Sequence, residues 1–180
     1  EVIYTIGNDG DIIIESALLN VPDSLPELPR FGNNFKIQEE FSQVNWYGRG
    51  PYENYWDRKS ASFVAVSVAT VDDLYVPYIR PQENGHRTDV RWVSFTDNEG
   101  KGIFIEAREL MEFNAHHQDI SAFDPGEAKH QRHTIDIKKE NVVDISIDYK
   151  QMGVGGDDSW GARPHAEYTI PAADYKFAYS

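Results

Sequence analysis

At 180 residues, the chain has the length of one domain, and its 17 Lys and Arg against 30 Asp and Glu give a formal charge of -13. Such an acidic surface repels phosphate backbones and anionic bilayers, which argues against nucleic-acid and membrane partners. There is no cysteine, which excludes a disulfide framework, a thiolate metal site and a thiol nucleophile. Aromatics make up 13% and Met only two residues, a composition that favours strands built from β-branched and aromatic side chains. No apolar run approaches the roughly 18 residues of a membrane-spanning helix.

Alternation with period two dominates the chain from its start. Residues 2–6 and 11–17 flank Gly7-Asn8-Asp9-Gly10, a hairpin signal. The first residues already read as a strand, without an initiator Met or a signal-peptide pattern, as expected of a fragment cut from a longer protein. The compartment, cytoplasmic or periplasmic, is left open. After a connector with Pro22, Pro26 and Pro29, strands are predicted over 31–38 and 43–47, ending at Gly48-Arg49-Gly50-Pro51. Residues 63–69 alternate small and apolar, which predicts a strand packed on both faces. Further strands are predicted over 74–79, 88–95, 102–107 and 110–117.

A short helical turn is expected within 119–129, around Asp124-Pro125-Gly126-Glu127. Residues 132–138 and 142–150 then form a predicted hairpin around Lys139-Glu140-Asn141, and strands over 165–170 and 175–179 close the chain. About a dozen strands at this spacing predict a single all-β domain of the sandwich type over residues 1–180.

The most informative segment is Met152-Gly153-Val154-Gly155-Gly156-Asp157-Asp158-Ser159-Trp160. Its glycines cannot sustain a helix and weaken a strand, so the backbone is expected to turn sharply or to come close to another group. Asp157, Asp158 and Ser159 can bond such a backbone locally. Trp160, followed by Gly161, presents the largest apolar side-chain surface available. Stacking half of an indole face on a sugar buries on the order of 100 Å², worth roughly 2 kcal/mol before ordering costs. The competing reading is a core tryptophan capping one end of a sandwich.

Three further groupings carry polar chemistry. Residues 46–58 combine aromatics with Arg49, Glu53, Asp57 and Arg58. They read either as the wall of a cleft or as a salt-bridged loop in which the arginines pair with the acids. Residues 81–87 hold Glu83, Asn84 and His86 around an Asn-Gly turn; Glu83 with His86 is a conceivable acid/base pair, although no spacing specifies two catalytic carboxylates. His116 and His117 are adjacent, so on a strand they face opposite sides and cannot share a metal. His130 and His133 form only a weak metal pattern, and Asn8, Asp9 and Asp11 are better explained by a turn than by calcium. No structural metal is expected.

The ordered set Leu28-Pro29-Arg30-Phe31-Gly32, Val44-Asn45-Trp46-Tyr47-Gly48-Arg49-Gly50-Pro51-Tyr52-Glu53-Asn54-Tyr55 with Asp57-Arg58, Pro77-Tyr78, Pro81-Gln82-Glu83-Asn84-Gly85, and 152–160 resembles the C-terminal domain of large bacterial β-galactosidases of glycoside hydrolase family 2. The resemblance spans nearly the whole chain. It implies an antiparallel β-supersandwich of the galactose-mutarotase type. It also implies that the catalytic glutamates, and any magnesium or sodium used by the parent enzyme, belong to other domains. No cofactor is implied for this one. Its implied partners are a β-galactoside substrate and the (β/α)-barrel domain of the same parent chain. By resemblance, Trp160 is the apolar platform for the sugar, with Asp157, Asp158, Ser159, Arg49, Glu53, Glu83 and Asn84 as possible supports and no catalytic residue in this chain. The alternatives are a free-standing carbohydrate-binding module and an enzyme like an aldose 1-epimerase.

Overall fold

The computed structural model describes residues 1–124, 132–158 and 160–180. Among these, nine strands form, all paired antiparallel: β1 (Val2–Ile6), β2 (Ile12–Leu18), β3 (Arg30–Gln38), β4 (Gln43–Gly50), β5 (Phe63–Thr70), β6 (Arg87–Thr96), β7 (Gly102–His116), β8 (Val142–Gln151) and β9 (Tyr175–Tyr179). The larger sheet runs β3-β8-β7-β6-β4-β5, and β1-β2-β9 form a second group joined to it where Ala107 of β7 pairs with Tyr179. Aromatic contacts tie the two layers together: Phe31 meets Tyr175 at 5.9 Å between ring centroids, and Tyr149 meets Phe177 at 6.1 Å. The result is an all-β sandwich.

The core is the face of the larger sheet built by alternate residues. Val44 and Trp46 of β4, Val93 and Phe95 of β6, Met111, Phe113 and Ala115 of β7, and Val143, Ile145 and Ile147 of β8 are all buried. Trp46 is fully enclosed, packs edge-on against Phe113, and donates its indole N–H to the Arg49 carbonyl at 3.0 Å. That bond satisfies the one polar atom that burying an indole would otherwise leave unpaired.

Several expectations are corrected here. The strand expected to end at residue 47 continues through Gly50. The two strands expected over 102–107 and 110–117 are one, β7. The apparent gap is an irregularity opposite 90–92 of β6, where the other edge of β7 changes partner from β9 to β8. Residues 74–79 form no strand, because Thr70 and Asp73 cap each other reciprocally and start a short helix, α1 (Val71–Leu74). The N–H of Val76 then goes to the Asn84 side chain at 3.0 Å instead of to a neighbouring strand. A 3-10 turn over Thr134–Asp136 replaces the first arm of the expected 132–150 hairpin, and another over Ala166–Tyr168 replaces the middle of the 165–170 strand. Within 119–129 a 3-10 turn forms over Ile120–Phe123, with Asp119 as its N-cap and Asp124 as its C-cap rather than as a helix start; the 125–127 part of the expected start, like His130, lies outside the described residues.

The sharpest correction concerns burial. β5, expected to be packed on both faces, is the edge of the larger sheet and leaves Phe63, Val66 and Val68 exposed. β8 is packed on both faces instead, with Asp144, Ser146 and Asp148 opposite its apolar face buried as well, and so is the 111–116 part of β7. Consequently Ile145→Ala is expected to cost about 2–5 kcal/mol in urea unfolding, and Val66→Thr no more than about 0.5 kcal/mol. A large loss at Val66 would show that β5 is covered.

Candidate functional site

The 152–168 arm leaves the sheet at the end of β8. The Met152 N–H donates to the Pro29 carbonyl at 3.0 Å, and the Gly153 N–H to the Tyr168 carbonyl at 2.8 Å. Beyond this, Asp158 closes a local turn, its Oδ1 accepting from the backbone N–H of Trp160 at 2.8 Å and of Ala162 at 3.2 Å. Gly161 follows with φ +112°, a conformation that residues with a Cβ rarely adopt. Asp157 pairs with His165 at 2.9 Å and raises the pKa of that imidazole. The outcome of this local bonding is that Trp160 stands free, 93% exposed. The reading of Trp160 as a buried core residue is therefore overturned. Ser159 lies outside the described residues.

Beside the arm stands a tight turn in which Tyr55 and Arg58 exchange backbone hydrogen bonds of 3.1 and 2.8 Å. Glu53 is its hub. Its carboxylate accepts from the Arg58 guanidinium at 2.6 Å, from the Gly85 N–H at 2.8 Å, and from the Tyr78 hydroxyl. At the tip of the turn, the Asp57 carboxylate accepts from the Gly155 N–H at 2.7 Å. Trp56 sits edge-on to Tyr168 at 6.0 Å and under the Lys150 ammonium at 4.7 Å. Arg49 belongs elsewhere: it pairs with Asp89, which Lys59 also contacts at 3.0 Å, and donates to the Ser62 carbonyl at 2.7 Å. Of the two arginines expected to pair with acids of their own segment, only Arg58 does so.

The 81–87 loop covers the polar face of β7 and β8, and an ionic layer fills the space between them. His86 is fully buried, and both of its nitrogens face acceptors, Glu112 Oε2 at 3.0 Å and Asn114 Oδ1 at 2.5 Å. The Asn114 amide is oriented unambiguously, since its nitrogen donates to Glu83 at 2.7 Å and to the Asn84 carbonyl at 2.6 Å. Two acceptors make His86 an imidazolium; burial opposes that charge, but the Glu112 contact overcomes it and raises the pKa. Glu112 also takes Lys150 at 3.2 Å and the Gln151 N–H at 2.8 Å, and its pKa is lowered by the surrounding donors despite burial. Arg30 bonds Asp148 and approaches Glu83 at 3.6 Å; desolvation nevertheless pushes both carboxyl pKa values upward.

His116 behaves oppositely. Its Nε2 donates to the Asn84 carbonyl at 3.0 Å, while its buried Nδ1 has no partner, so it is neutral, and burial lowers its pKa to about 4.

Of the residues singled out from sequence, Asp157 and Asp158 shape the arm, Glu53 holds the turn beside it, and Glu83 and Asn84 belong to the ionic layer and its covering loop. Arg49 joins neither. Arg30, Glu112, Asn114, Asp148 and Lys150 were missed as a group, because they lie on three strands and only pairing brings them together. The described residues hold no group of three or more His, Cys, Asp or Glu side chains that could share a metal ion.

An antiparallel sandwich that projects an exposed indole on a braced, glycine-rich arm defines the class of module. The chain belongs to the family described as β-galactosidase small chain, whose model matches residues 1–180. It is similar to proteins named β-galactosidase from Priestia megaterium (41% identical over 171 residues, 95% of this chain), Halalkalibacterium halodurans (35% over 180 residues, 98%) and Pseudoalteromonas haloplanktis (33% over 177 residues, 98%). The matches cover only 16%, 17% and 16% of those relatives, so the chain spans about one sixth of their length.

The two buried histidines predict opposite responses to acid. His116 binds a proton more readily when unfolded, so its site loses stability as pH falls from about 6.5 toward 4, by up to about 3 kcal/mol. His86 has a raised folded pKa, so its contribution is complete below about pH 6.5 and is lost as pH rises through the folded value. Urea unfolding at pH 7 and 4.5 is expected to show a flattened acid loss in His116→Gln, and a wild-type slope in that variant would refute the assignment.

Proposed function

We propose that this chain is the C-terminal module of a larger β-galactosidase and that Trp160 supplies an apolar platform for the galactoside, in a site whose catalytic carboxylates lie in another domain of the same polypeptide. The observation that carries this reading is the indole itself: 93% exposed, and raised on an arm held by Asp57, Asp158 and the Tyr168 carbonyl. Membership in the β-galactosidase small chain family and the names of the relatives support the substrate class.

The division of labour follows from chemistry. A retaining glycosidase needs one carboxylate to attack the anomeric carbon and a second group to protonate the leaving oxygen and then activate water. An indole can do neither. It can cover the apolar face of a sugar, orient it, and keep water from one flank. His86 offers no free nitrogen for such work, being fully buried with both ring nitrogens engaged, and Glu83 beside it is committed to Asn114 and Arg30. That weighs against the epimerase reading, which needs an acid and a base open to the sugar.

In the full polypeptide, Trp160→Ala is expected to raise KM for a β-galactoside by about tenfold, the effect of losing roughly 1.4 kcal/mol of binding, while the pH profile of kcat keeps its shape. A displaced pH optimum with unchanged KM would sink the platform reading. The isolated chain is expected to bind galactose no more tightly than millimolar and not to accelerate its mutarotation. Micromolar binding by calorimetry would instead favour a self-sufficient carbohydrate-binding module, and mutarotation followed by polarimetry an epimerase.

A further inference from the structure

We propose that Asp57 is the positioning residue of the Trp160 platform: its carboxylate, presented at the tip of the 55–58 turn, grips the bare backbone of the glycine run and sets where the indole stands. The inference rests on the reading of Trp160 as a substrate platform. Three observations carry it.

The first is the hydrogen bond from the Gly155 N–H to Asp57 Oδ2, 2.7 Å long and joining residues 98 positions apart. A carboxylate acceptor makes such a bond stronger than a neutral one. The second is steric. A Cβ placed on Gly153 would lie 2.5 Å from Asp57 Oδ2 and 2.6 Å from its Cγ, and one on Gly155 would lie 3.1 Å from Oδ2. Neither glycine has a positive φ. What these positions require is therefore space for the carboxylate, not an unusual backbone angle. The third is the rigidity of the turn itself. Glu53 ties it to Arg58, Tyr78 and Gly85, while neighbouring Trp56 is set between Lys150 and Tyr168, whose carbonyl receives the Gly153 N–H. The arm is thus held on consecutive sides by one preorganised turn. Among the described residues, the Asp157–His165 pair and the local Asp158 closure lie between that hold and the indole.

The second carboxylate oxygen, Oδ1, is buried without a hydrogen-bond partner. An asparagine at position 57 keeps an acceptor for Gly155 and again leaves one atom unpartnered, so Asp57→Asn is a conservative test of geometry. Asp57→Ala removes the grip.

The experiment uses the full β-galactosidase polypeptide with o-nitrophenyl β-D-galactoside, comparing Asp57→Ala, Asp57→Asn, Trp160→Ala and the Asp57→Ala/Trp160→Ala double variant. A misplaced platform loses binding, so Asp57→Ala is expected to raise KM about fivefold with kcat within about twofold of wild type. Asp57→Asn is expected to stay within about twofold in both constants, and the double variant to match Trp160→Ala alone, because both changes remove one effect. A wild-type KM in Asp57→Ala, or a KM effect that multiplies onto that of Trp160→Ala, would overturn the proposal while leaving the platform reading intact. If Trp160→Ala itself leaves KM unchanged, the platform reading fails and this proposal falls with it. Should Asp57→Ala not fold, Asp57→Glu takes its place: the longer side chain drives the carboxylate into the glycine run, with the same rise in KM expected, and an unchanged KM again overturns the proposal.

Discussion

Charge buried on a sheet face is the constraint on which the rest of the molecule hangs. Glu112 and Asp148 are cross-strand neighbours on β7 and β8, two like charges almost wholly removed from water. Left alone, such a pair would take up protons or destabilise the strands. Arg30, Lys150 and the imidazolium of His86 supply the opposing charge, and Asn114 joins the cluster to Glu83 and Asn84. A buried ionic group of this kind adds little net stability, yet it admits few alternative arrangements. Its effect is to seat the 81–87 loop in one position.

That position is relayed outward by backbone contacts. Gly85, at φ +76° and too close to the Leu74 carbonyl and the His116 ring for a Cβ, presents its N–H to Glu53. Glu53 stiffens the 55–58 turn, and Asp57 at its tip meets Gly155 of the arm. The exposed indole is therefore the last member of a series that begins in the sheet. Two of the steps, from the Gly85 N–H to Glu53 and from the Gly155 N–H to Asp57, are charge-assisted hydrogen bonds to backbone groups, which constrain direction as well as distance. An aromatic platform has value to a binding site only if it is already in place when the ligand arrives, since ordering it afterwards subtracts from affinity.

The legible part of the structure was the part written in local alternation. β1, β2, β3 and β9 follow the period-two pattern to within a residue, and the glycine-rich arm with its acids was recognisable as a local turn ending in Trp160. Where the reading failed, a competing local interaction had taken the backbone donors. The Thr70–Asp73 capping box and the Asn84 side chain prevent a strand after β5, and 3-10 turns replace strands at Thr134–Asp136 and Ala166–Tyr168. Alternation signals that one face differs from the other; it does not say what lies above either face.

The sequence by itself determined an all-β architecture, an acidic surface and an irregular glycine-rich arm ending in an indole, because composition and short-range pattern dictate these. Only the tertiary structure decided that β8 rather than β5 is covered on both faces, since that depends on where the 81–87 loop comes to rest. Only tertiary structure, too, decided what the glycines at 153 and 155 are for. A run without side chains is equally suited to turning and to being approached. The carboxylate that approaches it comes from a turn 98 residues away from Gly155 along the chain, and no local pattern encodes that meeting.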